Sequence, residues 1–183
     1  ITFNDVDALT VGTVGTKVGI TTDGNDLALT TAQQLTIGSG AGQDINVGAA
    51  NVALTATSGG VTEDAGSIIT AAQLALSGTS AGDFSLSQNN AVELLAASIN
   101  GTLEFVTTTA LEVGTSNSIS GVTTSSNAST VQSTGSMTLT QAINTGTAAT
   151  TLTSTTGGII DNNGAATNVT ASSLSATSAT GTG

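Results

Sequence analysis

The sequence predicts an all-β chain wound as a parallel β-helix, a solenoid of about 7 to 10 coils. Three observations predict it. Apolar residues recur two apart with a polar residue between them, short strands follow one another at near-constant spacing, and one phrase of the chain returns much later. "DALTVGTVGTKVGITT" (7–22) is matched by "TALEVGTSNSISGVTT" (109–124), with 8 of 16 positions identical at an offset of 102.

Composition supports a folded rod and excludes several function classes. The 183 residues contain no Cys, His, Trp, Tyr, Pro or Arg, one Lys (Lys17) and three Phe. At 38% hydrophobic and 7% charged, the chain has more branched apolar material and less charge than a disordered segment. A net charge of −11 argues against a phosphate backbone or an anionic membrane as partner. No apolar run approaches the roughly 20 residues that span a bilayer, so membrane insertion is not expected. No signal-like segment opens the chain, and any secretion signal is expected elsewhere. Without cysteine, neither a disulfide framework nor a thiolate metal site can form.

Taken in order, the apolar pairs are Leu9/Val11, Val18/Ile20, Leu27/Leu29, Leu35/Ile37, Ile45/Val47, Val52/Leu54, Leu74/Leu76, Phe84/Leu86, Val92/Leu94, Leu103/Phe105 and Leu111/Val113. Each is the signature of a strand with one buried face. Gly, Asn, Asp, Ser and Thr in the gaps supply turns. "ITAAQLAL" and "AVELLAAS" could be taken for helix, but they keep step with neighbouring strands and read as strands too. β-Branched Thr, Val and Ile favour that choice.

The long repeat decides how the strands assemble. After a small register change "LTATSGGVTEDAG" (54–66) aligns with "LTSTTGGIIDNNG" (152–164), so the chain divides into repeat 1 (1–102) and a partial repeat 2 (103–183). The pattern begins and ends mid-phrase, as a fragment of a longer chain would. A coil of about 18 to 27 residues is implied by two or three strands per turn. The alternative is two tandem immunoglobulin-like β-sandwiches. Against it, strand alternation runs straight across the junction "NGTLEFVTTTALEVG", leaving no linker.

The stretch "GSIITAAQLALSGTSAGDFSLSQNNAVELLAASINGTLEF", followed by "TTTALEVGT", resembles the repeats of filamentous-haemagglutinin-like exoproteins and other large secreted β-strand-repeat adhesins of bacteria. The resemblance rests on the phrases "G-S-I-x-x-A-x-L-x-L", "N-N-A-V-x-x-L-A-A" and "A-L-x-V-G". It implies a right-handed parallel β-helix, export, and a structural or adhesive role at the bacterial cell surface. Its partners would be adjoining repeats, other copies, or surface glycans of a host or the environment. The family's secretion domain carries Asn-Pro motifs, which this chain lacks, so no transporter-recognition role carries over.

Candidate sites are few. Without His, Cys, Tyr or Arg the usual general bases and thiol nucleophiles are missing, and no enzyme is expected. Asp5 with Asp7, or Glu63 with Asp64, could form a carboxylate pair, but as solvated turn and strand-face residues they need no such role. "GNDLAL" and "GQDINV" share Gly-x-Asp-apolar-x-apolar 18 residues apart, which makes Asp26 and Asp44 candidate calcium ligands if the two segments stack. Ordinary Asp turn chemistry is the competing reading, and no other cofactor is implied. Sequons at Asn100, Asn127 and Asn168 mark expected exposed turns. Lys17 aligns with Ile119, so an isopeptide crosslink through it is not part of the repeat.

Overall fold

The computed structural model describes residues 1–38, 40 and 42–182, and the chain is a β-solenoid of about seven turns, with strands and turns but no helix among the described residues. The far end of the second repeat, at Gly183, lies outside them. Every strand pairing is parallel except within two short hairpins, Thr13–Val14 with Lys17–Val18 and Thr115–Ser116 with Ile119–Ser120. A tandem sandwich would be antiparallel throughout, so that alternative is excluded.

Two columns of stacked strands account for the pairings. In the first repeat, column one holds Thr2–Asp5, Leu27–Thr31, Asn51–Ala56, the second half of Ile69–Ser77 and the end of Phe84–Ser98. Column two holds levels built of two pieces with an excursion between them. Leu9–Val11 with Ile20–Thr21 is followed by Leu35–Ile37 with Ile45–Asn46, then Val61–Glu63 with the start of Ile69–Ser77, then the early part of Phe84–Ser98.

At residue 103 the two strand types exchange columns. Leu103–Thr107, the counterpart of the first uninterrupted strand, stacks on the early part of Phe84–Ser98 in column two. Ser129–Ser133, Ala149–Ser154 and Ser173–Ser178 follow it. The two-piece levels move to column one, where Val113 lies over Leu95 and Val122 over Ala97. One repeat thus supplies nine strand levels to two columns, an odd number, and the second copy starts half a turn out of phase.

The core follows from this register. Column one stacks Leu29, Leu54, Leu76, Ala97, Val122 and Ile143 in direct succession. All of them are buried, within a single cluster that runs from Val11 to Ile159. Identical or similar branched side chains over one another fill a narrow interior without large aromatic rings.

Two expected core positions are corrected. Val18 is 51% exposed because it belongs to the first hairpin and not to the strand of Ile20. Leu94 is only half-buried, because alternation slips by one residue after Val92 and hands the inward register to Leu95 and Ala97. The slip marks a corner of the coil, where the chain changes direction without a break in the strand.

Leu54, fully buried between Leu29 and Leu76, tests the stack. Leu54→Ala should cost about 3 kcal/mol of unfolding free energy in urea, whereas Thr55→Ala on the outward register should change it by less than about 0.5 kcal/mol.

Candidate functional site

The phrase that the chain spells twice encodes a flap and its anchorage. Leu9 and Leu111 and Val11 and Val113 point into the core. Gly12 and Gly114 accept the hydrogen bond that closes each hairpin, from the N–H of Gly19 at 3.0 Å and of Gly121 at 2.8 Å. Gly19 and Gly121 have φ of +67°. A Cβ there would lie 2.3 Å from the Asp44 carbonyl oxygen and 2.1 Å from that of Ala142, so both positions require glycine. Thr22 and Thr124 then turn their hydroxyls onto the carbonyls of Asn25 and Asn127, setting the next strand on its course. Five of the eight positions that differ between the copies, 14–18 and 116–120, form the body and tip of each hairpin.

The second flap is seated. It leaves its strand between Val113 and Val122, which lie over Leu95 and Ala97, so its base sits above Ala96. From there it folds back across the strands Phe84–Ser98 and Ile69–Ser77. Beneath it runs an outward ladder of alanines in consecutive register, Ala28, Ala53, Ala75 and Ala96. Ala75 and Ala96 are 2% and 0% exposed, though they stand outside the core cluster. Side chains no larger than methyl let the flap lie flat. Its turn, Asn117–Ser118, has both φ positive, as a two-residue hairpin requires. Ser116 and Asn117 at the tip reach a depression lined by Ala28, Asn51 and Ala53.

The first flap is built alike but lies open. All four residues of its strands are exposed, Val14 at 83%. Lys17, the only cationic side chain of the chain, sits at its tip. Sequence reasoning saw this phrase as two strands, and the signal it passed over was the glycine pair bracketing each insertion.

A second feature is buried. Glu63 falls in the inward register, stacked on Ile37, which corrects its reading as a solvated strand-face residue. Its Oε2 accepts hydrogen bonds from the Gln88 N–H and Asn90 Nδ2, each at 3.1 Å, while Oε1 is buried without a partner. Desolvation pushes its pKa up to about 7, against the lowering effect of those two bonds. Asn90, fully buried, shares the two hydrogens of the same Nδ2 among the carbonyls of Leu86, Gln88 and Val106, each 3.2 Å away, and accepts from the Ile69 N–H at 2.6 Å. Thr107 closes the knot by accepting from the Val92 N–H. These residues satisfy the backbone groups that the register shift between Leu86 and Asn90 would otherwise strand.

The remaining candidates serve turns. Asp26 and Asp44 do not stack on each other, because pairing advances 25 residues where they lie, not 18. Each precedes a strand and receives a backbone N–H of the next coil at 2.9 Å, from Asn51 and from Ile68. Asp83 does the same for Thr102, and these bonds hold its carboxyl below the usual range. No group of three metal-binding side chains occurs among the described residues. Asp5 accepts from the Asp7 N–H in an Asx turn, and Asp7 accepts from Gln33 Nε2. The sequon asparagines are half-buried, and Asn127 spends its amide on the Thr124 carbonyl. Outside, a continuous hydroxyl ladder runs along column two through Thr10, Thr36, Thr62 and Ser85, is interrupted by Glu104, and resumes at Thr130, Thr151 and Ser175.

Two outcomes are expected. Because folding raises the Glu63 pKa, the folded chain holds the proton more tightly than the unfolded one. Stability is then greatest below the ordinary carboxylate pKa and falls as pH rises through about 7. Melting followed from pH 5 to 8 should show a loss of about 2 kcal/mol, and Glu63→Gln should abolish that slope. Gly121→Ala should destabilise by about 1–3 kcal/mol and expose the seat beneath the flap, measurable as faster amide exchange at Ala75 and Ala96.

No family model matches this chain, no curated protein is significantly similar to it, and no solved structure matches its fold.

Proposed function

We propose that this chain is a structural rod segment of a large secreted bacterial surface adhesin or exoprotein, working outside the cell and without catalysis. One observation carries the reading. The second copy of the repeat stacks on the first with no linker, as Leu103, Phe105, Leu111 and Val113 bury themselves on the coil before them. A repeat that continues its own solenoid in this way extends a rod by a fixed length each time it recurs. The acidic, hydroxyl-rich exterior suits a solvated stalk, and the phrases shared with β-strand-repeat exoproteins point to the cell surface. Glycans of a host or the environment are the surface partners that such hydroxyl ladders could meet.

A second reading is a self-assembling subunit of an extracellular filament or sheath, in which copies would stack on one another as repeat 2 stacks on repeat 1.

Small-angle scattering should return a stiff rod whose solenoid axis is roughly 35 Å for seven coil steps. On intact source cells, an antibody to the chain should label the surface, and mass spectrometry should find these peptides in one long polypeptide with further repeats. Peptides confined to a cytoplasmic fraction would overturn the reading.

A further inference from the structure

We infer that the second flap, residues 115–120, is a strap that ties repeat 2 to coils of repeat 1 it does not stack on, so that the two repeats open as one cooperative unit. The inference goes beyond the stalk and filament readings, since either needs a rod that does not part between repeats.

The joint between the repeats is interrupted in both columns. Within repeat 1, residues 73–77 of column one pair without a gap with 51–55 on one side and 94–98 on the other. At the joint the ladder breaks in two: Leu94 and Leu95 pair with Glu112 and Val113, then Ala97 and Ser98 with Val122 and Thr123. Ala96 has no partner between them, because the chain leaves there to form the flap. Column two carries the register shift between Leu86 and Asn90 at the same joint, with Glu63 drawn into its polar knot. A solenoid whose coils touched only their neighbours would part first at such an interface.

The flap bridges this break. It belongs to the first two-piece level of repeat 2, yet it lies across Phe84–Ser98 and on to Ile69–Ser77, and its tip shares a depression with Ala53 and Ala28. Ala75, Ala53 and Ala28 stand two, three and four levels away from the flap's own. Nearest-neighbour stacking makes no contact at that range. Ser116 is 4% exposed, so the flap is packed down rather than resting loosely. It also moves as one piece: the Gly121 N–H closes its base on the Gly114 carbonyl at 2.8 Å, and the Thr115 and Ser120 hydroxyls meet across it at 3.0 Å. Parting the joint therefore requires the whole flap to leave its seat, which uncovers Ala75 and Ala96 at the same moment. The energy of the seat is added to that of the interrupted ladder, and coils of repeat 1 well below the joint share in holding repeat 2.

The test is hydrogen exchange of the whole chain in rising urea, read by mass spectrometry for each repeat. Ala75→Ile changes repeat 1 two levels from the joint. A β-branched residue suits the strand that carries it but stands up into the seated flap. The expected result is exchange at Val131 and Leu152 in repeat 2 faster by roughly tenfold, against less than about twofold at Leu29 and Leu54 in repeat 1. The single urea transition of the intact chain should split in two. Deleting residues 115–120 joins Gly114 to Gly121 across the bond that already closes the flap, should give the same split, and serves if Ala75→Ile does not fold. The matched deletion of 13–18, between Gly12 and Gly19, should leave Val131 unaffected. Because the chain has no cysteine, Asn117→Cys with Ala53→Cys can be oxidised to a bridge within one chain, which should keep both repeats in one transition. Faster exchange confined to the coils beside Ala75, equal acceleration of both repeats, two transitions in the intact chain, or a cysteine pair that does not bridge would each overturn the strap.

Discussion

Everything in this molecule depends on parallel stacking at a fixed step. Each coil climbs about 4.8 Å, so a residue lies directly over its counterpart in the coil before and directly under the one after. That constraint turns a one-dimensional sequence into ladders. An inward leucine must suit the leucine below it, and an outward threonine such as Thr36 lies between Thr10 and Thr62. Long-range contacts are therefore nearly all contacts between adjacent coils, and stability passes from level to level. Small branched residues are favoured because a large ring at one level would have to be matched by room at two others. Phe84 and Phe105 are tolerated on adjacent levels of column two because they are offset by one inward position: Phe84 lies beneath Leu103 and Leu86 beneath Phe105.

The same constraint explains why the polar interior is concentrated in one place. Coils of about 25 residues in the first half give way to a step of 19 between Phe84 and Leu103. A short coil cannot keep every backbone group paired while it turns its corners. Asn90 makes up the deficit with one side chain, donating to carbonyls of its own coil and the next and accepting from the coil before. Glu63 is drawn into that knot as an acceptor, and its raised pKa reflects how little water reaches it. Such a group is held for geometry at a cost in stability, which is the usual bargain for a buried ionisable residue.

Much of this was legible in the sequence. Alternation placed Leu27, Leu29, Leu35, Ile37, Val52 and Leu54 inward, because a strand period of two has only one phase that buries them. The recurrence of a phrase 102 residues on gave the repeat. What alternation could not show was a change of phase within a strand, hence Leu94, or a departure from the coil, hence Val18. Glu63 was legible after all, since it shares the inward phase of Val61 in "VTED", but an acidic residue invites the reading that it faces water. Asp26 and Asp44 failed to stack because turn and flap residues count toward the coil length without adding a level, so equal sequence spacing did not mean equal height.

The odd number of levels per repeat is what allows the second flap to exist. A flap is inserted in the middle of a two-piece level. Had the repeat supplied an even number of levels, the two-piece level at 111–123 would have stacked on other two-piece levels, and a flap folding back from it would have run into excursions such as those at 64–68 and 87–89. With nine levels the strand types exchange columns at residue 103. The two-piece level then lies over the uninterrupted strands that carry Ala96, Ala75, Ala53 and Ala28. A smooth strip is presented there, with alanine as the outward residue at four consecutive levels. Repeat length, strand count and side-chain size thus combine in one geometric result: the second flap lies on a flat face laid down by the copy before it.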